Sequence, residues 1–184
     1  MALMRKVLFI LGQLSDTDVD WLAAAGRTKH APVGTKLVQQ GKHFDSVYFV
    51  LEGLLAVTRY AGQDEQEVAR LGAGEIIGEM SFITAGSAAA TVTALEDSVV
   101  LAIPKVHLSA KLEQDTEFAA HFYRAIAGFL SDRLWTTLAR LGQNLSASLS
   151  GEIGEADELD ETVLDNVHLA GARFERLLKQ SMAY

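Results

Sequence analysis

The residues best placed to do chemistry stand together in one run, Gly78-Glu79-Met80-Ser81-Phe82-Ile83-Thr84-Ala85-Gly86-Ser87-Ala88-Ala89-Ala90-Thr91-Val92. A glycine opens a short turn-forming segment with one carboxylate near its head. A loop containing Gly86 follows, then small residues, then the β-branched pair Thr91 and Val92. This is the layout of a small cradle for an anion and hydroxyl groups, inserted between two strands: small side chains leave backbone N–H groups within reach of a ligand, and the acid can accept hydrogen bonds. The same residues also fit a structural role. Glu79 can sit favourably at a helix N-terminus, and Gly72, Gly74 and Gly78 can be turn glycines. Their spacing is not a dinucleotide fingerprint, because no strand–helix–strand unit surrounds it.

Other chemistry finds little support. The five histidines, His30, His43, His107, His121 and His168, are scattered, and none has a partner at metal-ligand spacing. No phosphate loop or nucleophile elbow occurs. No catalytic residue, no metal and no enzymatic activity are therefore expected. The absence of cysteine excludes a disulfide framework, a cysteine-held cluster and thiolate metal sites. With 184 residues, 49% of them hydrophobic, the chain can build a core without such staples. A net charge of −8 argues against a polyanion such as DNA, whose binding rests on cation–phosphate neutralisation. The apolar run Val7 to Leu11, behind Met4-Arg5-Lys6, is far short of the roughly 20 residues a membrane span needs, and it reads as part of the fold. A cytoplasmic location is expected, with no membrane and no nucleic-acid partner.

The elements that must position the cradle follow from periodicity. Ser15 as N-cap, acids in the first turn and Gly26 as stop predict a short first helix. Pro32-Val33-Gly34-Thr35 is a turn, and a strand runs from Leu37 to Gly41. Val47–Leu51 and Leu54–Thr58, split by Glu52-Gly53, predict two strands in a hairpin or a bend. Glu67–Leu71 is another strand, Gly72-Ala73-Gly74 turns into the cradle, and Thr91–Leu95 and Ser98–Ile103 are the last two. Many short strands at close spacing predict a mainly β fold with flanking helices, an antiparallel jelly-roll barrel. Pro104 opens a short helix. Asp115 or Thr116 caps a long one ending near Gly142, whose Phe122 and Phe129 lie on a stripe wide enough to meet its own copy in a homodimer. Ser- and Gly-rich, then acidic, residues 143–159 read as a linker. An amphipathic helix closes the chain over 160–184, with Phe174, Leu177 and Leu178 on its apolar face. The expected division is thus 1–142, 143–159 and 160–184.

The run at Gly78 resembles the phosphate-binding cassette of the cyclic nucleotide-binding domain family. The likeness extends to Gln40-Gly41, Val47-Tyr48-Phe49-Val50-Leu51-Glu52-Gly53, Gly74-Glu75-Ile76-Ile77-Gly78-Glu79 and Ala94-Leu95-Glu96-Asp97 with Ile103-Pro104, in matching order from about residue 8 to residue 141. The resemblance implies that Glu79 accepts a hydrogen bond from a ribose 2′-hydroxyl. It implies that Gly78 allows close backbone approach, with Met80 and Ser81 following in the cassette pattern. It implies that N–H groups around Ala89 and Ala90 face a cyclic phosphate, with Ser87 and Thr91 adding hydroxyls. Thr136 and Thr137, on the long helix, fall where the bacterial transcription factors of the family touch the base.

One position departs from the pattern. Ala88 stands where the family places an arginine that pairs with the phosphate. Loss of such a contact should cost about 2–5 kcal/mol, or about thirty-fold to several thousand-fold in affinity. Arg59 and Arg70, on neighbouring strands, are the cations expected to compensate. About forty residues follow the long helix, too few for the winged helix-turn-helix of the family's transcription factors. Two functions remain open. One is a stand-alone cyclic nucleotide-binding-like regulator that senses a cyclic nucleotide or other small anion, needs no cofactor beyond that ligand and acts on a protein partner. The other is a ligand-free structural or protein-interaction module with a degenerate pocket.

Overall fold

The computed structural model describes residues 10–62, 64–147 and 161–182. The elements in order are α1 (Asp16–Ala25), β1 (Arg27–Ala31), β2 (Lys36–Val38), β3 (Ser46–Glu52), β4 (Leu54–Ala61), β5 (Asp64–Gly72), β6 (Ile76–Ile77), α2 (Glu79–Thr84), β7 (Thr91–Ala94), β8 (Ser98–Pro104), α3 (Lys105–Gln114), α4 (Thr116–Ala147) and α5 (Glu161–Ser181). The strands form two four-stranded sheets, ordered β1-β8-β3-β6 and β2-β7-β4-β5, with every pairing antiparallel. The mainly β, jelly-roll reading holds. The sheets lie as two layers of a sandwich rather than a closed barrel.

Alternation along β3 and β8 explains their unbroken apolar runs. Val47, Phe49 and Leu51, with Val99, Leu101 and Ile103, join the cluster under the helices. Tyr48 and Val50, with Val100 and Ala102, join a second cluster with Leu55, Val57 and Val92 of the opposite sheet. Successive side chains of a strand point to opposite faces, so a sheet covered on both sides needs apolar residues at every position. β4 and β3 belong to different sheets, so Gly53 is a crossing bend and not a hairpin turn. Its φ of +95° and the 2.7 Å that would separate an added Cβ from Ser98 Cα both require glycine.

The helices cover the first sheet. α1 begins with a capping box: Ser15 Oγ accepts the Asp18 N–H at 3.2 Å, and Asp18 Oδ2 accepts the Ser15 N–H at 2.7 Å. Asp115 caps α4 by accepting the Phe118 N–H at 3.0 Å. α4 buries Phe118, Phe122, Ala125, Ile126 and Phe129 in the helix-side cluster. Phe122 and Phe129 are therefore core residues of this chain, which corrects their assignment to a dimer face. Among the described side chains, the large apolar residues that α4 leaves exposed are Tyr123, Leu134, Trp135 and Leu138.

α4 continues five residues beyond Gly142 to Ala147, so residues 143–147 of the expected linker are helical. Residues 148–159, the rest of that expected linker, lie outside the described residues, as do residue 160 and residues 4–9 of the N-terminal stretch. Ile10 and Leu11 are fully buried. α5 packs on α1 and the core through Ala170 and Leu177, with Phe174 and Leu178 against the same cluster. Arg173 Nε donates to Asp16 Oδ1 at 2.9 Å, and Arg176 donates twice to Asp20 at 2.6 Å. The Phe174-Leu177-Leu178 face is thus used inside the chain and is not an open interaction surface. No helix among the described residues is long and apolar enough to cross a membrane.

Candidate functional site

The cassette folds as a one-and-a-half-turn helix and a loop between β6 and β7. Gly78 precedes α2 with φ +94°, and a Cβ there would lie 2.6 Å from the Phe44 ring. Only glycine meets both conditions without strain. This geometry brings Glu79 inward at the head of α2, where it is 3% exposed. Ser81 Oγ donates to Gly78 O at 3.1 Å and accepts from Lys105 Nζ at 2.9 Å. The Lys105 ammonium also lies 3.8 Å from the centroid of the Phe44 ring. Burial lowers its pKa from the ordinary lysine value, against the pull of Asp45.

A cavity of about 100 Å³ opens beside Glu79. Its walls are Val38, Phe44, Val57, Leu71, Ile76, Ile77 and Val92, with Gly78, Glu79, Met80, Ser81, Ala88, Ala89 and Ala90 from the cassette and Arg133 from α4. Arg133 Nη1 donates to Glu79 Oε1 at 2.7 Å, and its guanidinium lies 5.0 Å from the Phe129 ring centroid, one turn earlier on α4. The aromatic face and the carboxylate together hold the guanidinium in place. The cavity is smaller than the roughly 300–1,000 Å³ of sites that enclose a drug-sized ligand. Arg133 is part of what closes it.

Burial pushes the Glu79 carboxyl above the usual carboxylate range, while the Arg133 guanidinium and the backbone N–H groups of Glu79 and Gly78 pull the other way. A raised pKa in the folded state gives stability that is complete below the unfolded value of about 4.5 and is lost as pH rises through the folded value. Glutamine does not titrate. The melting temperature of the wild type relative to Glu79→Gln is therefore expected to decline from acid pH toward neutrality. Paired thermal melts across that range check this, and a flat difference contradicts it.

Seven of the expected site residues line the cavity: Gly78, Glu79, Met80, Ser81, Ala88, Ala89 and Ala90. Four do not. Ser87 is exposed and does not line the cavity. Thr91 is buried, and its Oγ1 accepts the Gln40 N–H at 3.1 Å, so it anchors the β2 end of the cradle. Thr137 is exposed and returns its hydroxyl to Arg133 O at 2.8 Å. Thr136 lies beside it on α4, and its side chain falls outside the described residues. The Ala88 peptide is also occupied: its N–H donates to Lys42 O at 3.0 Å and its C=O accepts the Gly41 N–H at 2.8 Å.

The expected compensating cations are corrected. Arg70 is exposed and donates from Nε to Glu67 Oε1 at 2.7 Å. Arg59 is exposed on β4 and does not line the cavity. The cation that reaches in is Arg133, which the sequence reading missed. A signal existed: Phe122, Phe129 and Arg133 continue one α4 face at helical spacing, so the face that carries the core also carries an arginine.

Known proteins share the fold and the cassette-bearing part of the chain. A protein-family model described as Cyclic nucleotide-binding domain matches residues 28–115. The Pycsar effector protein XpPycTIR of Xanthomonas perforans is 33% identical over 114 residues, which is 61% of this chain and 35% of that protein. The cyclic AMP receptor protein of Thermus thermophilus is 32% identical over 91 residues, 49% of this chain and 42% of that protein. The matched part of this chain therefore spans less than half the length of either relative. Among solved structures, a cyclic nucleotide-binding domain from Methylobacillus flagellatus superposes with a TM-score of 0.69 at 21% identity, covering 84% of this chain and 86% of that one.

Proposed function

The chain belongs, through residues 28–115, to the cyclic nucleotide-binding domain family, and on that premise we propose that it is a ligand-gated regulatory module. A small ligand bearing hydroxyl groups, a cyclic nucleotide or a close chemical relative, enters the cradle at Glu79. It competes with Arg133 for the carboxylate and so changes how α4 rests on the cassette. The observation that carries this reading is the 2.7 Å bond between Glu79 and Arg133, because it joins the cradle directly to the long helix. A ligand shifts such an arrangement only through different affinity for the latched and unlatched states. A hydroxyl that needs Glu79 has that difference built in. The names of the relatives, a cyclic AMP receptor and a Pycsar effector, support a signalling role.

The readout in this proposal is the outer face of α4. Tyr123, Leu134 and Leu138 recur at helical spacing, and their exposures are 49%, 60% and 49%. Such a stripe suits a second copy of α4. Light scattering is expected to give twice the chain mass, and Leu134→Glu is expected to return it to one. A monomeric wild type contradicts the dimer.

The binding claim is tested by calorimetric titration of cyclic AMP, cyclic GMP, adenosine and guanosine into the wild type and Glu79→Ala. At least one of the four is expected to bind the wild type. Loss of a charged hydrogen-bond acceptor should weaken it about tenfold or more. Equal binding to both proteins, or none to the wild type, argues against the reading.

A further inference from the structure

We propose that the cradle selects an uncharged ligand carrying a vicinal diol and a flat apolar ring, the chemistry of a ribonucleoside, over its phosphate-bearing counterparts. This rests on the cradle being a ligand site, as argued above, and specifies what the site accepts.

The first support is charge. Among the described residues, the charged groups lining the cavity are Glu79 and Arg133, and they neutralise one another. An anion placed there meets a carboxylate and no surplus cation. The second is the wall at position 88. Ala88 is 5% exposed and belongs to the apolar cluster of Val38, Val57 and Val92. An anion against that wall loses its water and gains no counter-charge there, which disfavours it. Lys42 is tied to Ala88 through its carbonyl, but its side chain is exposed and outside the lining.

The third support is the pair itself. A carboxylate beside a guanidinium offers one acceptor and several donors. A diol supplies the complement, since each hydroxyl both donates and accepts, and it exchanges with the pair without changing the net charge. The remaining lining is largely aliphatic, with Phe44 at one edge, and suits a flat ring. A neutral ligand thus leaves the charge balance of the Glu79–Arg133 pair intact, whereas a phosphate adds a negative charge for which the described lining offers, beyond Arg133, only backbone N–H groups of the loop.

The test is a titration of adenosine, guanosine, cyclic AMP and cyclic GMP into the wild type and Ala88→Arg. The wild type is expected to bind a nucleoside at least tenfold more tightly than its cyclic phosphate. Ala88→Arg is expected to reverse that order. A wild type that binds a cyclic nucleotide as tightly as the nucleoside overturns the ligand class and leaves the site reading standing. Binding seen only for a cyclic nucleotide and only with Ala88→Arg also overturns it, while keeping the cradle intact. No binding of any of the four by the wild type or the variant overturns both. The wild-type comparison decides the ligand class even where the variant fails to fold.

Discussion

Replacing Phe122 by alanine is expected to remove about 3–5 kcal/mol of folding stability, the largest loss from any single truncation considered for this chain. Phe122 is 1% exposed in the helix-side core. Its ring stacks on Phe118 at 5.9 Å and meets Phe82 of the cassette helix edge-on at 6.2 Å. The truncation therefore opens a cavity and cuts the aromatic contact between α2 and α4. For a chain of this size each kcal/mol moves the melting temperature by about 2–4 °C, so the drop should exceed about 6 °C. Phe122→Leu keeps most of the volume and should cost less than about 2 kcal/mol. Thermal and urea melts of the two variants check the ranking. Equal losses would mean that packing volume is not what Phe122 supplies.

Arg133→Met is the second large effect, and its sign depends on pH. The variant keeps the apolar stem over Phe129 and removes the charge. Glu79 is then left buried without its cation, at a cost of about 1–3 kcal/mol for a buried hydrogen-bonding group left without its partner. Arg133 is 31% exposed on its side chain, so water offsets part of the loss and the lower half of that range is expected. Removing Arg133 drives the already raised Glu79 pKa further up. The deficit should therefore be largest at neutral pH and shrink as acid protonates Glu79. Glu79→Gln combined with Arg133→Met should recover most of the loss, because no buried charge remains. Melts of the two single variants and the double variant at pH 5 and pH 7.5 measure this coupling. A double variant no better than Arg133→Met at pH 7.5 would remove the pair from the account.

The sequence made most of the sheet and cassette legible because both are written in local pattern. The runs Val47–Leu51 and Ser98–Ile103 read as strands without a fold in view, and the order of residues 78–92 fixed the cradle between β6 and β7. β1 escaped notice because Arg27-Thr28-Lys29-His30-Ala31 buries only Ala31, so its burial pattern has no alternation to detect. Its strand form comes from pairing with β8. β6 is two residues long, too short to carry a period. Arg133 was missed for a related reason. It lies 54 positions from Glu79, and only the packing of α4 on the sheet brings the two together. The neighbouring strands carry cations close in sequence to the cradle, whereas Arg70 spends its charge on Glu67 at the surface. Thr91 shows the converse: its type and place suit a ligand contact, but the Gln40 N–H engages its hydroxyl.

The central claim is that a ligand entering the cradle takes Glu79 from Arg133 and thereby alters α4. The most direct measurement is an NMR titration that follows the Arg133 side-chain Nε–H resonance and the amides of α4 while adenosine, guanosine, cyclic AMP and cyclic GMP are added in turn to the wild type. The account predicts that at least one ligand shifts the Arg133 resonance toward that of Glu79→Gln, with changes at Phe129 and along the following turns of α4. Cassette amides that respond while Arg133 and α4 stay unchanged, or no response to any of the four, would contradict it.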